Sequence, residues 1–157
     1  DAIHYIENQT FEYQLMAITT SPLSLEYIDY PYPEIYYEAM RRNIMNFRWV
    51  KNKTYNYCKY ALEIDGRMIQ YIENPSYEYI KIAVNNRGRA LKYISYQTGE
   101  IVEQAIDNNP KALRWVNDKT LNVCLRAFSK DITVLKYVPL HLRKKILKIH
   151  DIFHNII

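Results

Sequence analysis

Apolar, polar and aromatic positions recur along the chain with a period of 22 residues. A four-residue pattern of apolar, polar, aromatic and aliphatic side chains appears seven times, and no insertion or deletion separates the copies. A fixed period of this length is typical of solenoid proteins, in which each repeat is one supersecondary unit. The aromatic member holds one position in all seven copies: Tyr5, Tyr27, Trp49, Tyr71, Tyr93, Trp115 and Tyr137.

The alanines follow the same period independently. Three of the nine alanines, Ala2, Ala90 and Ala112, share one position of the repeat. A small side chain at a fixed position predicts close approach of neighbouring helices. The other six share a second position: Ala17, Ala39, Ala61, Ala83, Ala105 and Ala127.

Each repeat predicts two short helices of about 8–11 residues, too short to be stable alone in water. In the first helix, the apolar residues of the segment 90–94 cover one face at about 100° per residue. The second helix has a hydroxyl side chain at its predicted N-cap, except in the second repeat, where Tyr32 and Pro33 stand. Glutamate follows two residues later in four repeats, where it complements the helix dipole: Glu12, Glu34, Glu78 and Glu100. The predicted caps are Thr10, Thr54, Ser76, Thr98 and Thr120, and the predicted breaks lie near Pro22, Gly66, Gly88 and Pro110.

The fold class that follows is all-α: an α-solenoid, or α/α superhelix, of about seven 22-residue helix-turn-helix repeats over residues 1–138. We expect the aromatic position to fill the core between layers and not to provide platforms for base stacking. Residues 139–157 predict one amphipathic helix that caps the same domain, with a membrane-surface or dimerising helix as alternatives. The first repeat has no polar capping unit, so we expect either that the natural protein extends upstream of Asp1 or that the chain is a processed fragment. A separate expectation is self-association through the uncapped N-terminal end. The apolar stripe of the last helix comprises Leu142, Ile146, Ile149, Phe153 and Ile156.

Residues that carry chemistry are sparse. Cys58 and Cys124 lie three repeats apart, too far for a disulfide within one solenoid, and we expect both to be reduced core residues. His150 and His154 have a spacing that suits zinc, but no third ligand is near, so no metal site is predicted. Phosphate-binding glycine loops and nucleophile elbows are absent. We therefore expect no catalytic residues, no cofactor and no enzymatic activity.

Charge is distributed unevenly along the chain. Residues 1–45 hold two basic and seven acidic side chains, whereas residues 46–157 hold 19 basic and 10 acidic ones. Cations also share two repeat positions three residues apart, so stacking should align them on one outer surface. This surface is either solvated, bound to an acidic protein, or bound to the phosphates of a nucleic acid. The candidate residues are Arg48, Arg67, Arg89, Lys92, Lys111, Arg114 and Lys136, with Arg143, Lys144, Lys145 and Lys148 on the last helix.

The motif A-L-K-Y-[IV]-x-x-Q-T-x-E-[IV], best formed at residues 90–101, resembles tandem helical repeats of unknown function found in mimivirus-type giant viruses. The resemblance covers residues 1–138, although His4, Glu26 and Tyr32 depart from the motif. Many residues with A/T-rich codons, including 16 tyrosines, agree with such a genome. The resemblance implies a viral origin and a binding role, and it implies no residue-specific function.

The sequence thus favours a nonenzymatic repeat scaffold that binds another macromolecule, with a protein as the favoured partner. One alternative is a nucleic-acid-binding protein of the virion or replication factory, and another is a self-associating structural virion protein. No apolar run approaches the ~20 residues of a membrane span. We expect no membrane partner and a reducing intracellular location, in the host cytoplasm or the virion.

Overall fold

The computed structural model describes the backbone of residues 2–154 and the side chains of residues 3–152. This part of the chain is all-helical, as the repeat pattern predicts, and it alternates short 3₁₀ helices with α-helices. The short helices are η1 (Ala2–Tyr5), η2 (Pro22–Tyr27), η3 (Ile44–Trp49), η4 (Gly66–Tyr71), η5 (Gly88–Tyr93), η6 (Pro110–Trp115) and η7 (Ile132–Tyr137). The α-helices are α1 (Phe11–Thr20), α2 (Pro33–Arg42), α3 (Tyr55–Ile64), α4 (Tyr77–Asn86), α5 (Gly99–Asn108), α6 (Leu121–Lys130) and α7 (Leu140–His154).

The α-helices begin at the predicted cap position in every repeat from α1 to α6. The side-chain oxygens of Ser76, Thr98 and Thr120 each accept the backbone N–H three residues on. Thr10 and Thr54 occupy the same position without that bond. Tyr32 and Pro33 replace the hydroxyl cap in α2, as expected. The cap position is therefore confirmed, while its side-chain hydrogen bond forms only in the later repeats.

The first helix of each repeat differs from the expectation of an α-helix of about 8–11 residues. η2 to η7 each span six residues and close i→i−3 bonds, such as that from the Ile94 N–H to the Leu91 carbonyl at 3.2 Å. In the fifth repeat, the buried residues Gly88, Leu91 and Ile94 lie three apart in sequence. A 3₁₀ helix has 3.0 residues per turn, so such residues eclipse one another along one edge.

Polar N-caps that the sequence analysis overlooked begin four of these short helices. Each side-chain oxygen accepts the backbone N–H two residues further on, at 2.9–3.0 Å. This bond satisfies a donor that the helix start leaves unpaired. The capping residues are Asn43, Asp65, Asn109 and Asp131.

Two layers of helices enclose the core. Successive short helices pack side by side from η1 to η7, and the α-helices form the second layer behind them. Between α2 and α3, Tyr36 and Tyr37 place their rings 5.3 and 5.0 Å from that of Tyr57. The alanine position is fully buried in α2 to α6, which confirms its role in close packing.

The aromatic position fills the core only in part. Trp49, Tyr71, Tyr93 and Tyr137 are half-buried and pack against the core, Trp115 is half-buried, and Tyr5 and Tyr27 are exposed. Aliphatic and phenylalanine side chains on the buried edge of the short helices fill the rest of that space. The 3₁₀ geometry explains the difference. At 120° per residue, the residue two places before the aromatic and the residue one place after it share one edge of the helix, and the aromatic lies on another edge.

Asparagines join neighbouring repeats through the backbone. The Asn86 side chain accepts the Gly66 N–H at 2.8 Å and donates to the Glu63 carbonyl at 2.6 Å. The Asn108 side chain likewise accepts the Gly88 N–H at 2.5 Å and donates to the Asn85 carbonyl at 2.8 Å. Each asparagine therefore joins the start of the short helix in its own repeat to the α-helix of the preceding repeat.

α7 is longer than the other helices described and packs against α6. Ile146 is fully buried and Phe128 contacts His150 with ring centroids 5.3 Å apart. The side chains of Phe153 and Ile156, which the sequence analysis placed on the same stripe, lie outside the described residues. In the described part of the chain, none of the helices combines the length and hydrophobicity that crossing a membrane requires.

Candidate functional site

The seven cations predicted on the repeats share one edge of the short-helix layer. We call Arg48, Arg67, Arg89, Lys92, Lys111, Arg114 and Lys136 the basic ladder. Six of them are exposed and Lys111 is half-buried. Since residues three apart eclipse each other in a 3₁₀ helix, Arg89 lies in line with Lys92, and Lys111 with Arg114. This shared edge is consistent with the prediction that the seven side chains line one surface.

Each of four ladder cations lies over the aromatic ring that follows it in sequence. The Arg48 guanidinium carbon lies 4.8 Å from the centroid of Trp49, and that of Arg114 lies 5.6 Å from Trp115. Lys92 and Lys136 place their Nζ atoms 5.3 and 5.2 Å from the centroids of Tyr93 and Tyr137, respectively. The aromatic residues therefore belong to the same surface as the cations.

Arg89 connects neighbouring repeats on this surface. Its guanidinium carbon lies 5.8 Å from the centroid of Trp115, the same ring that Arg114 contacts. Two cations from successive short helices thus meet at one indole. This contact is direct evidence that stacking brings ladder residues of different repeats together.

Only two ladder cations are neutralised by carboxylates within the described residues. Arg67 forms a bidentate pair with Asp65 at 2.5–2.9 Å, and Lys111 lies 3.8 Å from Asp131. Burial of Asp65 raises its pKa, but the hydrogen bonds from Arg67 outweigh burial and lower the pKa overall. The five cations that make no such ion pair in this part of the chain are Arg48, Arg89, Lys92, Arg114 and Lys136.

Cations of the α-helix layer are paired with carboxylates more often than those of the ladder. Lys81 pairs with Glu100 at 2.9 Å across two repeats. Arg126 and Lys130 both pair with Asp107 of the preceding α-helix, at 2.6 and 3.3 Å. Most cations on this side of the molecule thus have a carboxylate partner, whereas those of the ladder are largely unpaired.

The ladder begins at the third repeat. In η1 and η2 the residue before the aromatic is His4 or Glu26, and both are exposed. The rings of Tyr5 and Tyr27 therefore have no adjacent lysine or arginine in sequence. In the short-helix layer, η1 and η2 thus carry one acidic residue, Glu26, and no lysine or arginine.

The cations of α7 are not equivalent to one another. The Arg143 guanidinium donates to the carbonyls of Val138 and Lys136 at 3.0 and 3.1 Å, so it satisfies the C-terminal end of η7. Lys144, Lys145 and Lys148 are exposed. Arg143 is thus joined to the ladder at Lys136, and its role there is at least partly structural.

Both cysteines are buried and unpaired with each other. The Sγ of Cys58 donates to the Lys53 carbonyl at 3.5 Å, and that of Cys124 to the Lys119 carbonyl at 3.7 Å. Burial raises the pKa of both thiols, which disfavours the reactive thiolate. The prediction of inert core thiols is consistent with these contacts.

No group of three or more metal-ligating side chains occurs among the residues that the structure describes. The side chain of His154, one half of the considered histidine pair, lies outside them. At the N-terminal end, Ile3, Ile6, Tyr13 and Met16 line an open cavity of about 200 Å³. Self-association at that end stays a prediction.

The aromatic contribution to this surface was missed at the sequence level. The available signal was the repeated dipeptide of a cation followed by an aromatic, at residues 48–49, 92–93, 114–115 and 136–137. An assumed α-helical period assigned the ring to the core and obscured that signal. Comparison with protein-family models, with curated proteins and with solved structures gives no match, so the resemblance to giant-virus repeats also stays a prediction.

Proposed function

We propose that this protein is a nonenzymatic repeat scaffold that binds an acidic macromolecule along its basic ladder. The observation that carries the proposal is the contrast between the two layers. Arg126 and Lys130 of the α-helix layer are paired with Asp107, while Arg89 and Arg114 of the short-helix layer approach only an aromatic ring. Aligned cations without carboxylate partners produce the positive potential that attracts an acidic partner.

A surface that serves solubility alone is the competing explanation for the ladder. Such surfaces carry both signs of charge interspersed. On the ladder edge of η5 and η6, the residues are Arg89, Lys92, Lys111 and Arg114, and among the described residues only Lys111 of these four has a carboxylate, that of Asp131, within 4 Å. The absence of mixing within these two helices favours a binding role.

Elution from a heparin column in a salt gradient tests the proposal. We expect the variant Arg89→Gln/Arg114→Gln to elute at clearly lower salt than the wild-type protein. The control variant Arg126→Gln/Lys130→Gln removes the same formal charge from the α-helix layer. Its elution should shift less, by only the amount that losing two positive charges anywhere on the surface causes. Equal shifts in the two variants, with unchanged circular dichroism, would refute a localised binding surface.

A further inference from the structure

We propose that the acidic macromolecule is a single-stranded nucleic acid, contacted by the third to seventh repeats; this inference rests on the proposed function. The observation behind it is the alternation of unpaired cations and half-buried rings along one layer. Proteins that bind single strands combine a positive surface along the backbone with aromatic side chains on which bases stack. The ladder supplies the first element, and the second comes from Trp49, Tyr71, Tyr93, Trp115 and Tyr137.

The aromatic rings distinguish this partner from an acidic protein. Aspartate and glutamate side chains satisfy cations but offer no flat surface to an indole or phenol ring. A nucleobase does, and stacking is possible for every base because each one has a π-face. The rings beside Arg48, Lys92 and Lys136 also pack against the core, but their solvent-accessible part gives a base a surface that a carboxylate cannot use.

The same rings argue against duplex DNA or RNA. Bases in a duplex are already stacked on one another, so the side chains of a rigid helical layer reach only the phosphates. A single strand turns its bases outward and can present both groups at once. The alternation of cation and ring therefore suits an unpaired strand.

The cation–π contacts do not prevent stacking. Such contacts are weak where solvent reaches them. A phosphate can draw Arg114 or Arg89 away from Trp115, and a base can then contact the solvent-accessible part of this half-buried indole. Charge neutralisation and stacking would occur in the same step, since one residue pair supplies both.

Intrinsic fluorescence offers a direct reading of this surface. The chain contains two tryptophans, and both Trp49 and Trp115 lie beneath ladder arginines. We would titrate the protein with 20-nucleotide oligouridylate, 20-nucleotide oligothymidylate, inorganic polyphosphate and polyglutamate. The two oligonucleotides distinguish RNA from DNA, and the other polymers carry negative charge without bases.

The proposal expects both oligonucleotides, or one of them, to quench tryptophan emission and to bind more tightly than the base-free polymers. For single strands, the logarithm of affinity falls with the logarithm of salt with a slope of about −0.7 per phosphate contact. Engagement of the five unpaired cations therefore gives a slope of about −3.5. A 20-base-pair duplex should bind without comparable quenching.

The variant Tyr93→Leu separates stacking from charge. It retains both tryptophan reporters and the apolar contact of residue 93, but it removes one ring from the ladder. Affinity for the oligonucleotide should fall at least about fivefold, while affinity for polyphosphate stays unchanged. The matched control is Tyr96→Leu in the same repeat, because Tyr96 is an exposed loop residue outside the ladder; it should leave both affinities unchanged.

The outcomes separate this inference from the proposed function. If polyglutamate binds as tightly as the oligonucleotides, or if Tyr93→Leu and Tyr96→Leu behave alike in folded protein, the nucleic-acid inference is wrong and the scaffold proposal stands. If no polyanion binds even at low salt, both are wrong. Thermal melts of each variant establish that the compared proteins are folded.

Discussion

Gly88, the first residue of η5, lies directly against the carbonyl oxygen of Ala105 in the helix that follows, α5. A Cβ atom built on Gly88 would stand 2.2 Å from that oxygen, and Gly66 has the same relation to Ala83 at 2.1 Å. The start of each of these short helices is therefore in backbone contact with the α-helix that follows. This backbone contact, which we call the glycine–alanine joint, explains why one position of the repeat is glycine and another is alanine.

We predict that Gly88→Ala destabilises the protein by about 1–3 kcal/mol, since the methyl group has no room. Gly99→Ala is the matched control, because nothing lies within 4 Å of a Cβ at Gly99. That substitution restricts the unfolded chain and should stabilise the protein by about 0.4–1 kcal/mol. Urea denaturation measures both changes, and stabilisation by Gly88→Ala would contradict the joint described above.

A hydrogen bond between repeats should contribute to the stacking of α4 on α5. The Tyr77 hydroxyl donates to Glu100, which also pairs with Lys81 at 2.9 Å. We expect Tyr77→Phe to lower the free energy of unfolding, because the Glu100 carboxylate loses the hydroxyl that donates to it. The control Tyr96→Phe removes a hydroxyl from an exposed loop and should have no effect. A double-mutant cycle with Glu100→Ala, which removes the acceptor, should give a coupling energy clearly above zero, and additive effects would refute the bond.

Glu38 should make stability depend on acid pH. The hydrogen bonds from Arg41 and Arg42 lower its pKa from 4.5 to about 2. The folded state therefore binds this proton less readily than the unfolded state does. The resulting stability is present above about pH 4.5 and is lost as the pH falls toward about 2.

In Glu38→Gln this contribution is absent at every pH. The variant should melt slightly below wild type at pH 7, by less than about 1 kcal/mol for a surface pair. The difference between the two proteins should shrink as the pH falls to 2. Melts of Glu7→Gln, which changes an exposed glutamate, provide the comparison. A difference from wild type that stays constant between pH 7 and pH 2 would be inconsistent with the lowered pKa.

The thiols of Cys58 and Cys124 should be protected from modification in the folded protein. Both are at most 1% exposed, and burial raises the pKa of each. A thiol-specific colorimetric reagent should react at a rate set by unfolding, and quickly in denaturant. Tyr5→Cys introduces an exposed thiol as an internal reference, since Tyr5 is 85% exposed. Equal rates for all three cysteines in native buffer would overturn this prediction.

Some features of the candidate site were accessible from sequence and others were not. The shared positions of Arg89, Lys92, Lys111 and Arg114 predicted a common surface, because a fixed period maps equal positions onto equal places. Whether each of these cations forms an ion pair with a carboxylate was not predictable from the sequence. Whether a carboxylate neutralises a cation depends on distances across repeats, as the pair of Arg126 with Asp107 illustrates at 2.6 Å.

The sequence by itself determined the number and length of the repeats, the start of each α-helix and the close packing at the alanine position. These are local or strictly periodic properties, so a cap such as Thr98 and a small residue such as Ala105 are recognisable without coordinates. Only the tertiary structure decided that the first helix is 3₁₀ and that Trp115 lies beside two arginines at the surface. The physical reason is that six residues are compatible with either helix type, and packing against the neighbouring repeats selects one of them.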